Sequence, residues 1–181
     1  MRAYMRRGYV AAVRHNEHFF GRLLALRPVT VLCQTDRCVT YFAGTSGRPG
    51  ALPENGTAEG AGFVSDERRT IVLRYDPLQN APQRLARQLA HELSHVETAY
   101  RLGERQWHTP AWLNEGLATL VSGDPPCDGV TRDAVHLSSL EDQDDWNHFT
   151  DADEHGQPTY CAARDEVAAW FEAHGQAGLV A

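Results

Sequence analysis

The feature that most constrains this chain is a pair of histidines four residues apart with a glutamate beside the first. His91, Glu92 and His95 form the pattern H-E-x-x-H. Residues four apart in an α-helix lie on one face, one turn from each other, so both imidazoles can bind a single ion. Glu92 then projects beside that ion without having to bind it. The pattern predicts a helix-borne metal site with a carboxylate base next to it.

The sequence around this motif favours a helix of sufficient length. Asn80 is a favourable cap, Pro82 a favourable first-turn residue and Gly103 a typical stop. Between them, apolar residues recur at helical spacing: Leu85, Leu89, Leu93, Val96 and Tyr100. The two histidines fall away from the centre of this stripe, so we expect them to face a cleft.

A second helix is predicted after Pro110, and it carries the run N-E-G-L-A at residues 114–118. Two antiparallel helices joined by a short loop can bring Glu115 opposite His91 and His95. Two imidazoles and one carboxylate leave the fourth position of a zinc ion open, which is typical of catalytic sites. We therefore predict Zn²⁺ as the cofactor, with these three side chains as its ligands.

Together, H-E-x-x-H and N-E-G-L-A resemble the signature of the gluzincin metallopeptidases, specifically their peptidase-MA-like branch, and the neutral zinc aminopeptidases share it. The order of the other elements is also similar over residues 29–175, from a strand near Gly62 to a late Tyr160. The resemblance implies an α+β fold: a small zincin-like domain with a short mixed sheet packed on the motif helix, followed by helices. It implies a zinc metallopeptidase that hydrolyses peptide bonds.

The same resemblance implies roles for residues around the ligands. Glu92 matches the general base that accepts a proton from the zinc-activated water. Tyr160 matches a tyrosine whose hydroxyl stabilises the oxyanion, although it also fits an ordinary helix residue. Gly62, Phe63 and Val64 match an edge strand on which a peptide substrate adds through backbone hydrogen bonds. Simple packing of that strand is the alternative.

Two departures from the aminopeptidase pattern favour an endopeptidase. The interval between His95 and Glu115 is one residue longer than in those enzymes, and the segment 61–64 has no acidic residue to hold a free amino terminus. A non-catalytic zinc-fold binding module and a zinc hydrolase of a non-peptide amide are alternative functions. The presence of Glu92 argues against the first, because a structural zinc needs no base.

Length and charge further restrict the class of protein to which this chain can belong. The 181 residues fit a single domain with a real core, and the net charge of −7 argues against nucleic-acid binding. No apolar run reaches the length of a membrane span, and the run at 9–13 is too short for a signal peptide. The expected partner is a peptide or protein substrate.

Four cysteines bear on the cellular compartment. Their even number and the lack of a C-x-x-C pair favour two disulfides over a structural zinc site. Of three possible pairings we favour Cys33–Cys38 and Cys127–Cys161, with four buried thiols as the alternative. Two disulfides would indicate a periplasmic or secreted protein.

The patterns divide the single domain 1–181 into an N-terminal helix (1–27), a small sheet (28–76), the zinc-binding helix pair (80–123), an acidic loop region (124–158) and a C-terminal helix (159–175). Strands are predicted at 29–34, 61–65 and 70–75, while 39–43 fits a helix or a strand. The acidic stretch 141–154 contains no Arg or Lys and is typical of a solvated loop, with cation binding or selection of basic substrates as alternatives.

Overall fold

The computed structural model describes residues 2–23, 28–45, 62–65, 70–75, 78, 81–123, 125–132, 135–150 and 156–175. The helices in these ranges are α1 (Arg2–Phe20), α2 (Asp36–Thr45), α3 (Pro82–Leu102), α4 (Ala111–Ser122), α5 (Gln143–Thr150) and α6 (Gly156–His174). The strands are β1 (Val29–Cys33), β2 (Gly62–Ser65) and β3 (Thr70–Arg74). Short 3-10 helices span Gly103–His108 and Leu137–Ser139.

The three strands form one mixed sheet in the order β1-β3-β2. β1 runs parallel to β3, with Val29 opposite Thr70, and β2 runs antiparallel to β3, with Gly62 opposite Leu73. Among these strands β2 lies at an edge, and it contacts α3. The predicted α+β class with a short mixed sheet is confirmed.

The central strand β3 is covered on both faces, which explains its unbroken apolar run. Side chains alternate along a strand, so Ile71 and Leu73 pack on one face and Val72 on the other. The first face joins α1 and α3 in a cluster whose other buried members are Ala12, Leu78, Leu85, Leu89, Ala90, Leu93 and Val96. On the second face, Val72 packs against Cys33 and Val39. The apolar stripe of α3 is thereby held against the sheet and α1.

Helix α1 approaches α3 closely and binds its backbone. A Cβ atom at Gly8 would lie 2.9 Å from Cδ2 of Leu85, so a larger residue would push the helices apart. The fully buried Asn16 donates from Nδ2 to the carbonyl oxygen of Ala90 at 2.9 Å. Because Ala90 directly precedes His91, this bond anchors the turn of α3 that carries the histidines.

Helices α4 and α6 also pack closely, and the contact explains the glycine of the N-E-G-L-A run. A Cβ atom at Gly116 would lie 2.5 Å from the carbonyl oxygen of Ala163. Any side chain there would therefore displace α6. The residue after Glu115 must be glycine for α6 to reach its position.

Helix α5 closes the same region. Trp146 is fully buried and packs with Ala111, Leu140 and Ala163, and Tyr160 packs against this cluster while partly exposed. The indole of Trp146 meets the Tyr160 ring edge-on, with centroids 5.1 Å apart. Helix α5 therefore packs against the start of α6 through Trp146 and Tyr160.

The acidic region is not loop throughout, so that prediction is wrong for residues 143–150. Asp142 accepts a hydrogen bond from the backbone N–H of Asp144 at 2.7 Å at the start of α5. Acidic residues in the first turn also complement the helix dipole. Because the acidic side chains favour a helix start and Trp146 supplies a buried anchor, charge alone was a misleading guide. The remaining part of the predicted acidic loop, residues 151–154, lies outside the described residues.

Several helix boundaries in the structure also differ from the predicted ones. Helix α1 ends at Phe20 and not near residue 27, because Gly21 takes a positive φ of 71°. Ala81 is the N-cap residue of α3, and no side chain caps this end of the helix with a hydrogen bond. Asn80, the predicted cap, lies outside the described residues. Tyr100, expected in the apolar stripe, is 48% exposed. Helix α6 begins at Gly156, three residues early, and the ambiguous segment 39–43 lies in helix α2.

Both predicted disulfides are present. Cys33–Cys38 joins the end of β1 to α2, and Cys127–Cys161 ties the segment after α4 to α6, directly after Tyr160. Two disulfides are typical of proteins in oxidising compartments. In the part of the chain that is described, no helix has both the length and the apolarity to cross a membrane.

We predict that the Cys127–Cys161 bridge stabilises the fold more than the Cys33–Cys38 bridge does. It joins residues 34 positions apart, against 5 for the other bridge, and the loss of entropy in the unfolded chain grows with loop length. Replacing each pair by alanine should lower the free energy of unfolding by about 3–4 and about 2 kcal/mol respectively. Urea unfolding under non-reducing conditions measures both, and the reverse order would contradict this account.

Candidate metal centre

Helices α3 and α4 bring three predicted metal ligands together. Oε2 of Glu115 lies 3.2 Å from Nε2 of His91 and 3.5 Å from Nε2 of His95. The donor atoms of the three residues all lie within 4.8 Å of one another. The His-His-Glu group that could hold a metal ion is therefore assembled by the fold, although its members are separated in sequence.

The spacing of these donors suits zinc. Four ligands placed tetrahedrally at zinc–nitrogen and zinc–oxygen bond lengths of about 2.0–2.1 Å are separated from each other by about 3.3 Å. The two distances from Glu115 to the histidines, 3.2 and 3.5 Å, lie on either side of that value. Two imidazole nitrogens and one carboxylate oxygen are also a donor set that zinc accepts, with one position left for another ligand.

Burial and charge pairing at the site also favour a cation. Only 7% of His91 is exposed, and the side chains of His95 and Glu115 are 14% and 13% exposed. Burial by itself would lower the pKa of His95, but the adjacent Glu115 carboxylate outweighs it and raises the pKa to about 9. Burial likewise opposes ionisation of Glu115, yet the two imidazoles hold its pKa well below the usual range. Both pKa shifts have the same physical cause, which is the pairing of a carboxylate with two imidazoles in a largely buried position.

Asn114 orients one of the two imidazoles. Its Oδ1 lies 3.3 Å from Nδ1 of His95. When Nδ1–H donates to this oxygen, the lone pair of Nε2 faces Glu115 and is free for a metal. Such outer hydrogen bonds fix the tautomer of a ligating histidine. The asparagine of the N-E-G-L-A run thus has a role in the site.

Glu92 is buried beside the three donors. Only 3% of the residue is exposed, and its Oε1 accepts a hydrogen bond from Nε2 of Gln88 at 3.1 Å. Burial raises the pKa of Glu92, and the neighbouring His91 and His95 partly offset this effect. A carboxyl group with a raised pKa is better matched to proton transfer near neutral pH than an exposed one.

Tyr160 also lies next to the ligands. Its ring centroid is 6.1 Å from that of His91, with the rings at 62°. Trp146 also packs against the Tyr160 ring, and Cys161, the next residue, is in a disulfide. The structure therefore places the Tyr160 ring beside His91, one of the three possible ligands.

Other residues of interest lie on the motif helix or next to it. Gly62, Phe63 and Val64 form the backbone of the edge strand β2 next to α3, but their side chains lie outside the described part of the structure. Glu97, on the same helix as the two histidines, accepts a hydrogen bond from Nε of Arg101 at 2.7 Å and is fully buried.

Two residues that contact Glu92 and Tyr160 were not predicted from the sequence. Gln88 binds Glu92, and Trp146 holds Tyr160. The contact of Gln88 could have been predicted from the sequence, since a polar residue one turn before Glu92 shares its helix face. The contact of Trp146 could not have been predicted in this way, because its partner Tyr160 lies on another helix.

No family model, curated protein or solved structure matches this chain. The likeness to gluzincins rests on the two motifs and on the geometry of the side chains they carry. That geometry is a buried His91–His95–Glu115 group, consistent with an H-E-x-x-H metal site.

We predict that replacing His95 by alanine removes zinc from the purified protein. The variant loses one of three donors, and the remaining two no longer surround an ion. Metal analysis after dialysis should give about one zinc per parent chain and background levels for the variant. His15→Ala, which removes an exposed histidine of α1, is the matched control and should keep its zinc. Full occupancy in the His95→Ala protein would contradict the ligand assignment.

Proposed function

We propose that this protein is a zinc-dependent metallopeptidase, more specifically an endopeptidase that works outside the cytoplasm. The observation that carries the proposal is the buried carboxylate of Glu92 beside a His-His-Glu group that could hold a metal ion. The two disulfides support the extracytoplasmic location, since cytoplasmic thiols are normally kept reduced.

The chain supplies the groups that peptide hydrolysis requires. His91, His95 and Glu115 would hold the zinc ion, which when bound would supply Lewis acidity toward a carbonyl oxygen and lower the pKa of water. In the proposed mechanism, Glu92 accepts a proton from the attacking water and passes it to the leaving amine. The hydrogen bond from Gln88 to its Oε1 supports a fixed position for this carboxyl group.

Tyr160 completes the proposed machinery as a hydrogen-bond donor. Charge develops on the former carbonyl oxygen in the transition state, and a fixed O–H donor stabilises it there more than in the ground state. The position of the Tyr160 ring beside His91, held by Trp146, supports this role.

The edge strand β2 is the proposed substrate platform. It lies next to α3, and among the described strands it pairs with β3 alone. We propose that its other backbone edge accepts an extended peptide. Residues 62–64 carry no acidic side chain to bind a free amino terminus, which favours cleavage within a chain.

A purely structural zinc module is less favoured for an energetic reason. A buried carboxylate costs free energy unless it is paired or functional, and zinc would already be held by the other three side chains. Glu92 is partly paired through Gln88, but a module that needs no proton acceptor has no use for this buried carboxyl group. A non-peptide amide substrate requires the same base, and profiling with peptide mixtures distinguishes it from a peptide.

We predict that Glu92→Gln abolishes turnover without removing zinc. The amide keeps the size of the side chain and can accept a hydrogen bond, but it cannot accept the proton. Turnover of a peptide identified from a casein digest should fall by about 10²–10⁴-fold. Glu104→Gln changes an exposed glutamate after α3 and should cleave like the parent. A zinc-loaded Glu92→Gln protein with parental turnover would contradict the mechanism.

We predict that Tyr160→Phe lowers kcat by about 10²–10³-fold, the usual effect of losing one oxyanion donor. The ring and its packing against Trp146 remain, so zinc content should not change. KM should stay nearly constant because the lost interaction forms only in the transition state. Tyr100→Phe, at a half-exposed position of α3, is the control. If Tyr160→Phe cleaves as fast as the parent, Tyr160 has only a packing role.

A further inference from the structure

Gln88 makes a contact that neither motif requires. It lies on α3 one turn before Glu92, and its Nε2 donates to Oε1 of Glu92 at 3.1 Å. Both residues are buried, with 5% of Gln88 and 3% of Glu92 exposed. Among the described residues, this is the hydrogen bond that the Glu92 carboxylate receives.

A buried glutamate needs such a partner to have a defined orientation. Rotation of a carboxylate about its last side-chain torsion is broad and roughly two-fold, so packing alone determines it poorly. A hydrogen bond is directional and fixes the rotation. With Oε1 held by the amide, the direction of the second oxygen is also determined. Proton transfer is sensitive to that direction, because donor and acceptor must come within hydrogen-bond distance.

We propose that Gln88 is a positioning residue, which holds Oε1 of Glu92 so that Oε2 faces the water and the leaving group during hydrolysis. The proposal rests on the function proposed above and adds to it a residue outside both motifs. Gln88 itself does not contact substrate or metal, and it acts through Glu92.

A general contribution of Gln88 to helix stability is the competing explanation, and the structure offers a matched control for it. Gln83 lies on the same helix but is exposed. Gln88→Met and Gln83→Met each replace an amide by a side chain of similar length and helix propensity. Only the first removes the donor to Glu92. Gln88→Leu removes the same donor with a different apolar side chain.

The experiment compares these variants in the zinc-loaded protein. Zinc content, thermal unfolding midpoint, kcat and KM are measured on the peptide used for the parent. We expect Gln88→Met to keep its zinc and unfolding midpoint, to keep KM, and to lose about 10- to 100-fold in kcat, the usual effect of removing an orienting partner. Gln83→Met should match the parent in all four quantities.

A second readout does not depend on peptide cleavage. Acetohydroxamic acid binds zinc and carries a hydroxyl proton that needs an acceptor beside the metal. Calorimetric titration of the zinc-loaded proteins should show affinity about tenfold weaker for Gln88→Met than for the parent, and unchanged affinity for Gln83→Met. Glu92→Gln should weaken it at least as much as Gln88→Met does.

The two readouts separate the possible failures. If the parent binds zinc and hydroxamate but cleaves no peptide, the proposed peptidase function fails, while the hydroxamate affinities still decide whether Gln88 positions Glu92. Parental kcat and parental hydroxamate affinity in both Gln88 variants would overturn the positioning role. Losses that follow a drop in zinc content or in unfolding midpoint would also overturn it, since they indicate a folding role.

Discussion

The contact of Glu115 with His91 and His95 is the interaction on which the rest of this structure depends. It places one carboxylate and two imidazoles in a largely buried position between α3 and α4. Buried ionisable groups are costly unless they pair with each other or bind an ion. The carboxylate and the imidazoles satisfy that condition by pairing with each other, and the donor spacing suits a zinc ion.

The surrounding elements hold the two helices at that distance. The sheet and α1 pack on the apolar stripe of α3, and Asn16 binds the carbonyl directly before the first histidine. On the other helix, Gly116 admits α6 and α5 brings Trp146 against Tyr160. The Cys127–Cys161 disulfide then fixes the start of α6. The site is thus a product of five helices rather than of one motif.

The extent to which sequence predicted this structure depends on how local each signal is. The paired helices and the three ligands followed from spacing and periodicity, because each of these signals lies within a short stretch of sequence. The short mixed sheet was implied by the family resemblance, and the disulfide pairing was one choice among the three that four cysteines allow. The end of α1 and the helix at 143–150 did not follow from the sequence, since a positive φ at Gly21 and the burial of Trp146 depend on tertiary packing. The Gln88–Glu92 bond was local but was hidden among ordinary polar helix residues.

The most direct test of the central claim is the zinc K-edge X-ray absorption spectrum of the zinc-loaded protein. The account predicts about two imidazole nitrogens and light oxygen or nitrogen donors, all at about 2.0–2.2 Å, in four- or five-fold coordination. Both disulfides should remain oxidised, so no sulfur neighbour should be seen. A sulfur shell near about 2.3 Å, or the absence of imidazole scattering, would contradict the assignment of His91, His95 and Glu115 as the metal centre.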